Sequence, residues 1–461
     1  MQIKRGLAAV LILILCLGTP QTAISQSGGP LYVVQDGDTL YSIAIRFGTT
    51  VDDILNLNPQ VEPSLLYPGM QIIIPGFEGV DGELVTTSVL AGQTLEVMEV
   101  MYGSSNEDII RLNRILNPER LYIGQDLVLA ESGEASSLQA FIFPAGESLL
   151  VSAAEKSQNV WVLSSYLGVE HLWAASGAVG HQPEESGSLF PDPITDIVVN
   201  PEAVYQGRTL EIQVHTNGTI QANGRLGEKQ LNFVQYREGG YIALQGIDAM
   251  ADPGLETLRV QLYSEDGQIP LYGFQQPIRI RNAGYGKDPV LTVPAESVDP
   301  DNTRAEAEAV DSAVATVTAE KGWEEVLAFP SPYHDSFPAY FGVQRNYNDL
   351  GYNSYHTGLD LFGNENTQVT APANGTIVMI GTFPARGQAI YIDHGWGVYS
   401  GYGHLSQILV EKGDEVTLGQ VIAMVGSTGR VTGPHLHWEV LVGGTPVDPL
   451  EWVERVFPAD S

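Results

Sequence analysis

A fixed spacing of 55 residues runs through the first third of the chain. Gly37 and Gly92, Phe47-Gly48 and Tyr102-Gly103, Asp53-Ile54 and Asp108-Ile109, Leu57-Asn58 and Leu112-Asn113, and Gly69 and Gly124 are each 55 residues apart. A repeat of this size means one small structural unit used twice, over 30–76 and 84–130. Each copy reads strand, helix, helix, strand. Tyr32-Val33-Val34 opens the first copy, and Leu40, Ile43, Ala44 and Phe47 then fall at helical spacing. Thr50-x-x-Asp53 and Ser105-x-x-Asp108 are capping signals that start the second helix of each copy. Gln71 to Pro75 closes the first copy as a strand.

Beyond the repeats the period changes. Residues 139–192 contain Leu163 to Leu172, which looks like the helical part of a degenerate third copy; Trp161 and Trp173, at helix-like spacing, read as core. Over 193–282 the period is two: Leu210, Ile212 and Val214 alternate with Glu211, Gln213 and His215, and Asn217-Gly218 and Asn223-Gly224 are hairpin signals. Short alternating strands between turns predict a β-sandwich. Residues 283–325 are a Pro/Gly-punctuated linker followed by an Ala/Glu-rich helix over Thr303 to Lys321, which could pack across the last domain, 326–461.

The chain carries 55 acidic against 22 basic side chains, a net charge of −33, which argues against nucleic acid as a partner. Met1 to Arg5 is basic, Leu7 to Leu17 is apolar, and Ala23-Ile24-Ser25 is a small-residue exit. This is the pattern of a signal peptide over 1–25, and it implies a secreted or cell-envelope protein with no membrane span in the mature chain. The single cysteine, Cys16, lies inside that segment. After its removal no thiolate remains, so any zinc site must use nitrogen and oxygen.

The chain has nine histidines. Four of them occupy three short stretches near the C-terminus: His356-Thr357-Gly358-Leu359-Asp360, Tyr402-Gly403-His404-Leu405-Ser406 and Gly433-Pro434-His435-Leu436-His437-Trp438-Glu439. The surrounding text is Gly-rich and β-like, so His435 and His437 fall on one face of a strand and Leu436 on the other. Two neutral histidines and an aspartate leave Zn²⁺ a net positive charge and an open fourth position, the arrangement of a catalytic rather than a closed structural site. His394 reads as structural, in a strand-end turn.

Two resemblances follow from these motifs. The 55-residue units resemble the LysM module, which binds N-acetylglucosamine-containing glycans such as peptidoglycan. In that family sugar lies between two loops, here Gly37, Asp38, Thr39 and Leu40 with Leu57, Asn58 and Pro59. The second copy departs from this, with Gln93 for Asp38 and Arg114 for Pro59. The C-terminal motifs, with flanks Phe341 to Asn348, Gly426 to Pro434 and Val447-Asp448-Pro449, resemble the lysostaphin/LytM-type zinc endopeptidases, whose fold is an antiparallel β-sheet with the metal in an open groove. The resemblance implies one Zn²⁺ per chain held by His356, Asp360 and His437. His435 would be the general base, and His404 would bind the oxyanion or assist the base. The expected fold is thus multidomain: small α+β modules, a β-sandwich and a mainly β peptidase. The expected function is hydrolysis of peptidoglycan cross-links, of the D-Ala–diaminopimelate kind, by an enzyme tethered to glycan through its repeats. The alternative is a non-catalytic wall-binding regulator that activates another hydrolase; the intact ligand set argues against it.

Overall fold

The computed structural model describes residues 29–80, 82–131, 138–143, 148–155, 159–167, 169, 178–183 and 188–459. The expected signal segment with Cys16, and Trp173, lie outside the described residues. The chain divides into two compact units, Met1–Val85 with Ala130–Ser132, and Thr86–Leu129 with Gly133–Ser461. Among the described residues no helix is long and apolar enough to cross a membrane.

The first repeat runs strand Leu31–Val33, helices Leu40–Phe47 and Val51–Leu57, and strand Gln71–Ile73. The two strands pair antiparallel, Tyr32 against Ile72. Leu40, Ile43, Ala44 and Phe47 are all buried, as helical spacing requires of an amphipathic helix. Thr39 caps that helix in a reciprocal box with Ser42. Thr50 accepts the Asp53 N–H at 3.1 Å to start the second helix. The second repeat has the same order: Glu83–Ser88, Leu95–Tyr102, Asn106–Asn113 and Asp126–Glu131.

The predicted sandwich is present as two sheets. One orders Lys229–Leu231, Ile220–Leu226, Gly254–Ser264, Pro270–Arg281 and Ala203–Tyr205; the other orders Val234–Arg237, Gly240–Gly246, Thr209–Thr216 and Ile194–Asn200. Leu210, Ile212 and Val214 are fully buried between them. Glu211 and Gln213, which alternate with them along the strand, are buried too. The reason is the C-terminal segment: Ala459 donates its N–H to Glu211, and Trp452 donates to the Thr209 hydroxyl at 3.1 Å. Strand Thr209–Thr216 is therefore covered on both faces. Trp161 is 59% exposed, so the core reading of that residue is corrected.

The last domain is built on one antiparallel sheet whose main path runs Leu359–Phe362, His435–Val442, Val398–Ile408, Gly387–Asp393, Gly375–Phe383 and Glu415–Val416, beside a small two-stranded sheet of Gln344–Arg345 and Ser354–Tyr355. Its core packs Leu359, Leu361, Leu436, Trp438 and Val440 on one face, together with Trp323 and Leu327 from before the sheet. Trp323 contacts Trp396 and Trp452 edge-on at 5.5 and 5.6 Å, so this core begins ahead of residue 326. The linker helix spans Pro300–Ala313 rather than 303–321. Asp299 caps it and Pro300 takes the first helical position, where a missing N–H costs nothing. Val310 and Val314 pack it against Met379, Tyr391, Tyr399 and Leu441.

Candidate metal centre

Strand pairing lines up the site. Asp360 lies directly opposite His437, and Gly403 lies opposite His437 on its other side. His435 and His437 share a face two residues apart, while Leu436 and Trp438 enter the core. His356 precedes the first strand and is held by its own backbone, which donates to Val343 O and accepts from Gly342 N–H. Gly358 is required by proximity: a Cβ there would stand 2.3 Å from the Trp438 carbonyl oxygen and 2.9 Å from the His437 ring.

Three ligand atoms converge. His356 Nε2 lies 2.9 Å from Asp360 Oδ1 and 3.0 Å from His437 Nδ1, and His437 Nδ1 lies 3.0 Å from Asp360 Oδ1. Ligands at about 2.0–2.1 Å from a tetrahedral ion stand about 3.3 Å apart, so this triangle has nearly the size of one tetrahedral face. The outer nitrogens are committed. His356 Nδ1 donates to the Tyr340 carbonyl at 2.9 Å, and His437 Nε2 faces Glu439 Oε1 at 3.1 Å. With those protons outside, the inner nitrogens of neutral rings present lone pairs to one another and to a carboxylate. Three acceptors so placed call for a cation, and the donor set fits zinc.

In the metal-free protein a proton answers that need. Burial works to lower the His437 pKa, but hydrogen bonds to Asp360 and Glu439 carry it up to about 9. Burial works to raise Asp360, but the charge and hydrogen bonds of His356 and His437 hold it well below the ordinary carboxylate range. Burial pushes His356 down.

His404 and His435 stand beside the triangle. Their rings are 4.8 Å apart, and His404 is 5.7 Å from His437. His404 Nδ1 donates to the Thr428 carbonyl at 2.9 Å and His435 Nδ1 to the Gly433 carbonyl at 2.8 Å. Each neutral ring therefore keeps Nε2 as an acceptor. His435 Nε2 is 3.7 Å from Asp360 Oδ2. Burial, with the His437 charge beside it, pushes His404 down to about 3. His404 takes φ +63°, a left-handed conformation that non-glycine residues rarely adopt, where the pairing of its strand with Gly387–Asp393 slips. The irregularity re-aims its side chain.

Sequence reasoning gave Glu439 no role. It is 1% exposed and accepts from His437, Thr357, Tyr391 and Arg386. Its place two residues after His437, on the same face of the strand, was the available signal. His394 is a buried strut, with Nδ1 donating to Asn374 O at 2.7 Å and burial pushing it down to about 4.

The repeat loops are different. Gly37, Thr39, Leu57 and Pro59 of the first copy are exposed and Asp38 is half-buried. Leu40 and Asn58 are buried. Asn58 donates to Ile54 O at 2.7 Å and Ile73 O at 2.8 Å and accepts from Ile73 N–H at 2.7 Å, tying the second helix to the closing strand. Asn113 repeats those bonds in the second copy. There the loop corresponding to Gly37–Leu40 meets the sandwich. Gly92 N–H donates to Gln276 Oε1 at 2.9 Å, and a Cβ on Gly92 would be 2.1 Å from the Tyr272 hydroxyl. Ala91 and Ile123 belong to the sandwich core.

Comparison with known proteins agrees with both resemblances. The model of peptidase family M23 matches residues 354–449, and that of the LysM domain matches 32–75 and 88–130. The chain is 44% identical over 96 residues to the peptidoglycan DD-endopeptidase ShyA of Vibrio cholerae, covering 21% of this chain and 22% of that protein. It is 45% identical over 95 residues to the DD-carboxypeptidase/endopeptidase Mpg of Neisseria meningitidis, again covering 21% and 22%. The solved catalytic domain of the antimicrobial peptidase lysostaphin from Staphylococcus simulans is 28% identical, with a TM-score of 0.22, over 32% of this chain and 98% of that one. The chain thus spans about a fifth of the length of the curated relatives it matches.

Proposed function

We propose that this chain, which joins a C-terminal peptidase domain of family M23 to two LysM domains, is a zinc endopeptidase of the cell envelope that hydrolyses peptide cross-links of peptidoglycan. The observation that carries the reading is the triangle of His356 Nε2, Asp360 Oδ1 and His437 Nδ1, with both outer ring nitrogens committed elsewhere. One Zn²⁺ held there supplies a Lewis acid that polarises a carbonyl and acidifies water. The chain's own residues handle the protons. His435 presents Nε2 as the base, its Nδ1 fixed by Gly433 O. His404 presents a second acceptor; once protonated, it can donate to a developing oxyanion. Asp360 stays ionised and so keeps its oxygen as a ligand.

Relatives named DD-endopeptidases support the D-Ala–diaminopimelate cross-link as substrate. The LysM domains support a tether that raises the local concentration of wall peptide around the cleft. The amino-terminal pattern supports export. The test is digestion of purified sacculi by the zinc-loaded protein, with muropeptides read by mass spectrometry. Cross-linked dimers should become monomers, and chelator should stop the conversion. Zinc at one per chain with no conversion on any wall would replace this reading with the non-catalytic regulator.

A further inference from the structure

The helix Pro300–Ala313 lies outside the span matched to the peptidase family, 354–449, yet it places a buried carboxylate inside that domain. Glu306 is 3% exposed. Its three bonds all go to one turn: Oε2 accepts Ala385 N–H at 3.1 Å, and Oε1 accepts Arg386 N–H at 3.2 Å and Arg386 Nη1 at 2.9 Å.

That turn reaches the metal centre by two routes. Through its side chain, Arg386 grips Glu439 with a fork, Nη2 to Oε1 at 2.9 Å and Nε to Oε2 at 3.3 Å. Glu439 in turn receives the outer nitrogen of His437. Through its backbone, the Arg386 carbonyl accepts the His404 N–H at 2.8 Å, at the residue whose positive φ needs external support. The neighbouring Ala385 carbonyl accepts Arg430 N–H at 2.8 Å, which holds the loop before His435.

Glu306 and Glu439 both contact one guanidinium, so the row is negative, positive, negative. A planar fork can satisfy two carboxylates only in one orientation, which makes the arginine a rigid coupling rather than a loose ion pair. Residues that orient ligands from outside the coordination shell change metal affinity although they never touch the ion.

We propose that Glu306 is a positioning residue for the metal centre: the linker helix sets the Ala385–Arg386 turn, and through it the orientation of His437 and His404. The inference rests on the zinc reading above. It also means that a peptidase cut at residue 326, ahead of the family span but behind this helix, lacks part of its site.

The test uses the full chain with Glu306→Ala and Glu306→Gln, and Val310→Ala as a control. Val310 is buried on the same helix, and its side chain packs against the Met379 and Tyr391 cluster with no hydrogen bond to the Ala385–Arg386 turn. Two quantities are measured: zinc affinity by competition with a chelator, and hydrogen exchange of the His404 amide in metal-free protein. Glu306→Ala should weaken zinc about tenfold, the lower end of the range for outer-shell partners, and speed His404 exchange by a similar factor. Glu306→Gln, which keeps the size and an acceptor oxygen, should fall between. Val310→Ala should leave both near wild type even where it lowers the melting temperature. Wild-type zinc affinity in Glu306→Ala overturns the proposal, as does an equal loss in Val310→Ala. If the wild-type chain binds no zinc, the metal reading fails; His404 exchange still decides the positioning role, and an unchanged rate overturns it.

Discussion

The metal centre and the loop of the first repeat are both announced by short motifs of polar residues and glycine, but they use those residues in opposite ways. In the centre each histidine commits one nitrogen to a fixed protein partner outside the site and turns the other into the site. In the repeat the polar atoms are consumed. Asp38 Oδ2 takes the Tyr32 hydroxyl at 2.6 Å and Gln35 N–H at 2.8 Å, and Asn58 spends its amide on Ile54 and Ile73. What separates a reactive group from a strut is the bonding capacity left after folding. A ring with two nitrogens can be held and still react; a buried amide whose two N–H groups are both spent has no proton left to give.

The largest effect should come from removing a ligand whose free atom cannot be replaced. His437→Ala takes away both the inner nitrogen and the partner of Glu439. Zinc content should fall from about one per chain to near zero by elemental analysis, and muropeptide conversion should drop to background. Retained zinc with retained turnover would place the ion elsewhere and dissolve the contrast between the two regions.

Next comes the commitment of the outer nitrogen. Glu439→Gln keeps the shape but removes the charge that receives His437 Nε2–H and anchors Arg386. Loss of such a partner costs about 10–100-fold in metal affinity or activity. Chelator competition should show a loss in that range; wild-type affinity would mean that the outer contact is incidental.

The proton on His437 sharpens the point, because zinc must displace it. With its pKa at about 9, apparent zinc affinity should fall about tenfold for each pH unit below that value, until other ligands titrate. Stability of the metal-free protein should move the other way. A histidine raised above its ordinary value contributes stability that is complete below about 6.5 and is lost as pH rises through about 9. Melting of chelated protein should therefore fall between those values, while zinc affinity climbs. His404, pushed down to about 3, stays neutral across this window and adds nothing to either trend. Parallel movement of the two curves would contradict the assignment.

Much of this was legible because it depends on period and spacing. The repeat offset, the alternation of the sandwich and the i, i+2 histidines all carry their geometry in the chain itself. The unread parts depend on partners distant in sequence. That Glu211 and Gln213 are buried does not follow from alternation, which cannot report that Ala459, 248 and 246 residues on, bonds to both. Glu439 and Glu306 read as ordinary acids because their shared guanidinium, Arg386, lies 53 and 80 residues away. The second repeat scans like the first, yet its loop is pinned by Gln276, 184 residues on. The helix start was misplaced by three residues because Pro300 reads as a breaker unless the Asp299 cap is weighed with it.

The smallest effects should come from the first repeat, where the contrast is most easily broken. Asn58→Ala leaves the Ile73 N–H and the Ile73 carbonyl without this partner, while the Ile54 carbonyl keeps the backbone N–H of residue 58; each unpaired group costs about 1–3 kcal/mol. Amide exchange across residues 31–73 in the full chain should accelerate accordingly. Leu57, 37% exposed at the end of its helix, can lose its side chain with a stability change of about 0.5 kcal/mol. If the exposed residues make the contacts, Leu57→Ala should weaken pull-down on purified peptidoglycan by about fivefold, the equivalent of about 1 kcal/mol, with exchange unchanged. The reverse pattern, with binding lost in Asn58→Ala while exchange stays slow, would show that the amide still has capacity for sugar and that the strut reading is wrong. The Leu57→Ala experiment also separates the repeats. The loop of the second copy is already occupied by the sandwich, so Leu112→Ala, at the matching position but fully buried, should change exchange and stability rather than pull-down.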